Sequence, residues 1–544
     1  MPNNINININ INIFWKRYCI GDVVLYLKGY IHSHSTEEIL ESAKYLQKEG
    51  IENFAKSLDG HFALIIQRVD FCFILVDKIR STPLFFVEID DNFYIDCNPK
   101  NLIKKKGFVT DVSDDATLEV SMSGYTIGNK TIYKNLNSLK AGELVVFDNN
   151  KFKYTQYYKY FGNLEYKKYD DYIEELSEVT LNIFRKMLKK IGNRQIVVPL
   201  SAGNDSRLVA SILKYLGVEN VKCYSYGSVG NFEANFAKVI AKKLGYDWMF
   251  IPLTHKSESL FYHSEEFQEY LDFSETFCSM PYIQSLSTIK YLKEAGFIDK
   301  DAIFINGNSA DFISGGHINI LMKGYYNGIS EAERKENILN NLIQKHFSLW
   351  GYLKTSDNID NIKKSLWSEI NLACEQSEGI KKDHLFYEYS ELIDRQSKYV
   401  ILGQMCYEFY GHEWRLPLWD DEYLFFWQKI PVEFKVNQRL YIDMLKKKNY
   451  GGVWGDDIPV NKKSITPRWM IPVRFLIKIP FGIFGKKGAS FWRQFEINFL
   501  YYWMDDTHMM NIVDYSDIAR DFLKKPRNFA SWLSKIYLNK IEKG

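Results

Sequence analysis

RQIVVPLSAGNDSRLVASILKYLG, residues 194–217, is the stretch whose pattern decides the fold. A run of apolar, largely β-branched residues ends in a turn of small residues. The turn opens a segment with apolar positions at helical spacing that closes at Gly217. Buried strand, tight turn and amphipathic helix, in that order, begin a βαβ unit. The texture repeats on either side. VKCYSY (221–226), WMFIPL (248–253) and AIFING (302–307) read as short buried strands, and 170–190, 205–216 and 231–244 as helices. This alternation predicts an α/β, doubly wound parallel sheet in a domain spanning residues 163–544, with a mostly helical part after about Glu331.

The turn also carries chemistry. A helix N-terminus reached through small residues presents unpaired N–H groups and the positive end of the helix dipole, which suits a phosphate chain. Leu200 leads into the turn, Ser201 and Ser206 add hydroxyl donors, and Gly203 lets the backbone approach closely. Asp205 is out of place beside phosphates unless a divalent cation lies between them, so it is expected to hold magnesium. The plain alternative is a helix cap, where Ser and Asp are common. There is no GxxxxGK[ST] lysine, so the turn is not a Walker A site.

Residues 1–162 have a different texture. VVLYLKGYI (23–31), HFALIIQRV (61–69), FCFILVDKI (71–79), PLFFVEI (83–89) and NFYIDC (92–97) read as strands of an antiparallel, layered α+β domain, with one helix over 36–58. The Asn/Ile alternation over 3–14 reads either as an edge strand or as a disordered leader. Lys+Arg 69 against Asp+Glu 67 leaves a net charge of +2, which argues against nucleic acid as a partner. Seven cysteines form no CxxC pair and no metal-spaced cluster, and no signal peptide opens the chain, so a cytoplasmic location is expected.

SAGNDS (201–206) resembles the SGGxDS loop of the ATP pyrophosphatase (PP-loop) superfamily, with Ala202 replacing one glycine. Further segments narrow the likeness to asparagine synthetases. CYSYGSVGNFEANFAKVIAKKLGYDW (223–248) is similar to their second strand and helix. INGNSADFISGGH (305–317) resembles their SGEGSDExFGGY loop, EWRLPLWDDEYLFF (413–426) their EARVPFLD segment, and IPVNKKSI (458–465) their KxGF-like segment. The resemblance implies ATP and Mg2+ as cofactors, contacts to the nucleotide from Tyr226, Gly227, Asn306 and Gly307, and Asp311 as a second magnesium ligand. Lys462 would neutralise charge on the α-phosphate and departing pyrophosphate. Glu413 and Arg415 would orient the acceptor or form a structural ion pair. Asn308 stands where asparagine synthetases usually carry Glu, and an amide is no general base.

SLDGHFALIIQRVDFCFILVDKIRSTPLFF (57–86) and MSGYTIGNKTIYKNLNSLKAGE (122–143) resemble the glutamine amidotransferase half of the same family, which implies an Ntn-type αββα domain. Its chemistry is expected to be lost. Pro2 stands at the place of the nucleophilic cysteine, and Lys28 and Tyr30 stand where Asn and Glu would hold glutamine.

The expected activity is an AMP-forming carbon–nitrogen ligase. It would adenylate a small-molecule or sugar carboxylate and pass ammonia or an amine to it, with resemblance to members found in surface-polysaccharide clusters, where uronic acids are amidated. Asparagine synthesis from ammonia or through a partner glutaminase is the first alternative, and a catalytically silent binding or regulatory subunit the second. WMIPVRFLIKIPFGIFGKK (469–487) is expected to be a core segment, with peripheral contact with anionic membrane as the sharper alternative. A homodimer is left open.

Overall fold

The computed structural model describes residues 4–148, 151–162, 164–318, 330–374, 383–460, 467–483 and 485–543. Among the described residues, ten strands build the N-terminal part: β1 (Ile5–Ile7), β2 (Trp15–Ile20), β3 (Val23–Ile31), β4 (Gly60–Gln67), β5 (Cys72–Val76), β6 (Phe85–Ile89), β7 (Asn92–Asp96), β8 (Asn137–Ser138), β9 (Glu143–Asp148) and β10 (Lys151–Gln156). They form a four-stranded sheet, β1-β7-β6-β8, and a six-stranded sheet, β10-β9-β5-β4-β3-β2. Successive side chains on a strand point to opposite faces. Ala63 and Ile65 of β4 therefore meet Phe86, Phe93 and Phe147 between the sheets, while Leu64 and Ile66 pack outward with Ile39, Leu40 and Phe54. Helix, sheet, sheet and helix layers follow. The leader's Ile5–Ile7 adds an edge strand, parallel to β7.

The helix expected over 36–58 is broken. Thr36–Tyr45 is helical, Leu46 turns to extended backbone (φ −66°, ψ 128°), and Ile51–Ser57 resumes. The physical reason comes from β4's end. The Arg68 guanidinium donates to the carbonyls of Ala43 and Leu46 (2.9 and 2.5 Å), satisfying groups that a continuing helix would have used.

In the C-terminal part, β11 (Ile196–Pro199), β12 (Val221–Gly227), β13 (Asp247–Pro252), β14 (Ile303–Ile305) and β15 (Trp414–Arg415) form one parallel sheet in the order β13-β12-β11-β14-β15. Ile196, Val197 and Val198 are all buried because both faces of β11 are covered, which is why the run shows no alternation. The connection from β11 leads to β12 on one side, and the chain later returns to place β14 on the other. The switch point lies between β11 and β14. β15 was not foreseen as a strand. The helix Asn204–Tyr215 follows β11, and Phe232–Leu244 follows β12.

The segment over 469–487 is not core. Residues Met470–Gly482 form a helix in which only Met470 is buried, and Trp469, Phe475, Leu476, Ile479 and Ile483 are each more than half exposed. Its main support is a second helix, Gly485–Phe495, through a small cluster of Met470, Trp492 and Leu500. Among the described residues, no helix is long and apolar enough to cross a membrane.

Candidate functional site

A cavity of about 600 Å³ opens at the carboxyl ends of β11, β12 and β14. Its wall brings together Leu200, Ser201, Gly203, Asp205, Ser206, Tyr226, Asn306, Gly307 and Asp311, nine of the expected site residues. The turn is organised by its own side chains. Ser206 Oγ accepts the Ser201 N–H (2.9 Å) and sits 3.0 Å from Ser201 Oγ, while Ser201 Oγ accepts the Gly203 N–H (3.1 Å). Both hydroxyls and the first N–H groups of the helix Asn204–Tyr215 thus gather at one place, where a helix terminus favours an anion. Glu233 accepts the Ala202 N–H (3.2 Å).

The loops after β11 and β14 touch. Asp205 Oδ2 accepts the Asp311 N–H (3.1 Å), and Tyr441 donates its hydroxyl to Asp205 Oδ1 (3.2 Å). Gly307 makes the approach achievable, since a Cβ there would lie 2.6 Å from the Asp205 carbonyl carbon. Burial and the neighbouring Asp311 charge push the Asp205 carboxyl up to about 8. For Asp311, burial raises the value, but His317 outweighs it and holds the group below the ordinary carboxylate range. His317 Nε2 lies 3.2 Å from Asp311 Oδ2, and Nδ1 lies 2.5 Å from Glu391 Oε1. Against burial, the Glu391 charge and the Asp311 hydrogen bond raise His317 to about 9. Arg395, one turn from Glu391, also lines the cavity.

Two carboxylates whose loops meet, one of them raised by burial and by the other's charge, form a set that a cation would relieve. Their oxygens, completed by phosphate oxygens and water, are a donor set magnesium takes. Among the described residues, no three His, Cys, Asp or Glu side chains close into a metal cage.

Two expected residues stand elsewhere. Gly227 does not line the cavity; its carbonyl accepts the Leu253 N–H (2.9 Å). Glu413 precedes β15, and because that strand runs parallel to β14, it falls at the edge of the sheet opposite the cavity. There it pairs with Arg194 (2.7 Å) and Arg415 (3.1 Å). Lys462 lies outside the described residues. The chain leading to it is fastened to the turn by Arg207, which donates to the carbonyls of Ala202, Val453, Ile458 and Pro459. Sequence reasoning did not single out His317, Glu391, Arg395 or Tyr441. His317 ends the quoted 305–317 stretch, at the place of a tyrosine in the pattern it resembles, and that substitution was the available signal.

In the N-terminal part, Pro2 lies outside the described residues. The other two substituted positions join the halves. Lys28 pairs with Glu408 (2.6 Å). Tyr30 donates its hydroxyl to His61 or accepts from it (2.8 Å) and stacks under the Arg415 guanidinium, 4.2 Å from its ring centroid. Where glutamine would be held in an amidotransferase, these side chains occupy the seam between the sheets.

Residues 26–158 match the glutamine amidotransferase domain family, so this part of the chain carries an amidotransferase-type domain. No curated protein matches. Similar solved structures include a glutamine phosphoribosylpyrophosphate amidotransferase from B. subtilis complexed with ADP and GMP. It is 10% identical, with 55% of this chain and 64% of that chain covered and a TM-score of 0.19. A second is titled as the allosteric regulatory enzyme of purine biosynthesis, 9% identical over 55% and 57%, with a TM-score of 0.16. The chain spans less than two thirds of either, and likeness at this level carries no functional argument.

Proposed function

We propose that this chain is an ATP-dependent, AMP-forming amide ligase of the asparagine synthetase type whose amidotransferase-like part is inactive. The observation that carries the reading is the meeting of Asp205 and Asp311 across the switch point, in one cavity with the Ser201–Ser206 turn. Open α/β sheets place ligands there. ATP's outer phosphates would sit against the Ser201 and Ser206 hydroxyls and the helix N-terminus, and Tyr226 would border the nucleoside. An acceptor carboxylate oxygen attacks the α-phosphorus, the α–β bridging bond breaks, and pyrophosphate leaves. Ammonia or an amine then attacks the acyl carbon of the mixed anhydride, AMP departs, and the nitrogen gives up a proton. Magnesium held by Asp205 and Asp311 would supply charge neutralisation on the phosphates. His317, held cationic between Asp311 and Glu391, would add a fixed positive charge beside them.

Asn308 lines the cavity with its N–H bonded to Asn306 Oδ1 (2.9 Å) and brings no base. This supports an acceptor other than aspartate. A sugar carboxylate such as a uronic acid in surface-polysaccharide synthesis is the form the resemblance favours. The test is a screen of carboxylates with ammonia for pyrophosphate release. Active protein should give AMP and pyrophosphate in equal amounts. Asp205→Ala or Asp311→Ala should lower the rate on the order of a thousandfold, about 4 kcal/mol of barrier, with an unchanged far-ultraviolet spectrum. Release of ADP and phosphate, or near-normal rates in both variants, would end the reading.

A further inference from the structure

The cavity described above has a neighbour. A space of about 740 Å³ lies beside it, and His317 belongs to the walls of both. Five cations line it: Lys345, Lys354, Arg493, Lys525 and Arg527. No Asp or Glu does, although the chain as a whole is nearly neutral. Among the described residues, none of the five is in an ion pair; Lys345 is half-buried, and Lys354, Arg493, Lys525 and Arg527 stand around it on the solvent side.

Three of the cations, Lys345, Lys525 and Arg527, sit on segments fastened to one another, and the Lys345 ammonium donates to the His317 carbonyl (3.4 Å). Arg527 donates its N–H to the Leu349 carbonyl (3.0 Å) and its guanidinium to the Lys345 carbonyl (2.5 Å), and the Gly351 N–H donates to the Lys525 carbonyl (3.0 Å). Lys525 adopts a left-handed conformation (φ 53°) against Gly351, where a Cβ would come within 2.7 Å of the Lys525 Cβ. Such a conformation in a non-glycine residue persists only when its surroundings enforce it. Burial lowers the Lys345 ammonium to about 8 even though Glu391 draws it upward, and burial together with the Arg395 charge lowers Arg527. Five like charges gathered around one cavity repel one another, and an anion seated among them offsets that repulsion.

We propose that this cavity binds a phosphate or diphosphate group of the acceptor, whose carboxylate reaches the nucleotide cavity past His317. The inference rests on the ligase reading for the carboxylate, and on the five cations for the phosphate. A single carboxylate would leave most of the five charges unmatched, whereas a diphosphate brings several acceptor oxygens and the charge to go with them. Two carriers share that chemistry: a sugar acid linked to a nucleoside diphosphate, and one linked to a polyprenyl diphosphate.

The experiment is calorimetric binding to the full chain without ATP. The probes are UDP-glucuronate, free glucuronate, and a short-chain polyprenyl diphosphate in detergent. Wild type should bind at least one diphosphate probe about tenfold or more tightly than free glucuronate. Lys354→Glu combined with Arg493→Glu, both on the cavity's exposed side, should lose about tenfold or more of that affinity while magnesium-ATP binding stays within about twofold. Tighter binding of the nucleotide-linked or of the lipid-linked probe names the carrier. Equal affinity for free glucuronate, no binding of either diphosphate, unchanged affinity in the double variant, or a parallel loss of ATP binding would each overturn the proposal. If diphosphate binding behaves as expected but no carboxylate elicits pyrophosphate release, the cavity stands and the ligase reading falls.

Discussion

Glu258 is a carboxylate with no cation beside it. It is buried, its two oxygens take hydrogen bonds from Ser287 (2.9 Å) and Ser257 (3.4 Å), and burial raises it to about 7. Because the folded-state value lies above that of the unfolded chain, the native state keeps the proton longer. Its contribution to stability therefore falls as pH rises from about 4.5 to 7. Glu258→Gln keeps an acceptor for Ser287 and removes the charge. It should stabilise the protein at pH 8 on the order of 2 kcal/mol and leave it unchanged at pH 4. Thermal unfolding at the two pH values decides it; an equal shift at both would show that the carboxyl does not titrate in the folded state. Asp205 is raised by burial and, unlike Glu258, also by the charge of a neighbouring carboxylate, Asp311.

At the scale of elements, the helix pair over 470–495 has a composition that misleads. Its apolar residues suggest a core, yet Phe475, Leu476, Ile479 and Phe491 lie exposed among Arg474, Lys478, Lys486 and Lys487. Arg474 is paired with Glu496, and Lys478, Lys486 and Lys487 are exposed. Exposed aromatic and aliphatic side chains interleaved with lysine fit the interface of an anionic membrane. Co-sedimentation with vesicles rich in phosphatidylserine should exceed that with neutral vesicles. Lys478→Glu with Lys487→Glu should cost about 2 kcal/mol, roughly thirtyfold in partitioning. Equal binding to both vesicle types would remove membrane contact as an explanation for the exposure.

Across the whole molecule, the halves are joined by charge pairs taken out of water. Lys28–Glu408, Lys78–Asp421 (2.7 Å) and Lys140–Glu369 (2.6 Å) all cross the seam, and burial raises Asp421 to about 7 despite Lys78. Removing one member of such a pair leaves a buried charge alone, so Asp421→Ala should cost about 3–5 kcal/mol. Lys78→Met combined with Asp421→Leu should cost much less, and denaturant unfolding of both variants measures the difference. The same seam bears on nitrogen supply. With Lys28 and Tyr30 engaged there, the purified chain should release no glutamate from glutamine, and ammonia should support turnover instead. Glutamate release that vanishes on changing any one cysteine would overturn this.

The sequence by itself determined the elements whose signals are local. The strand, turn and helix over 194–217 show in the change of period from buried run to helical spacing, and the β3–β7 strands appear close to where their alternation places them. It also determined most of the cavity wall at the carboxyl ends of β11 and β14, because the residues at the end of a parallel strand follow that strand directly in the chain. Only the tertiary structure decided the rest. Whether an apolar helix is core or surface depends on what packs against it, and nothing in 469–487 records that partner. Which end of the sheet Glu413 occupies follows from β15 pairing parallel to β14, a contact between segments more than a hundred residues apart. The five cations of the second cavity come from positions 345 to 527, and each alone reads as an ordinary surface charge. Convergence of that kind is made by packing distant segments together, so no window of the chain contains it.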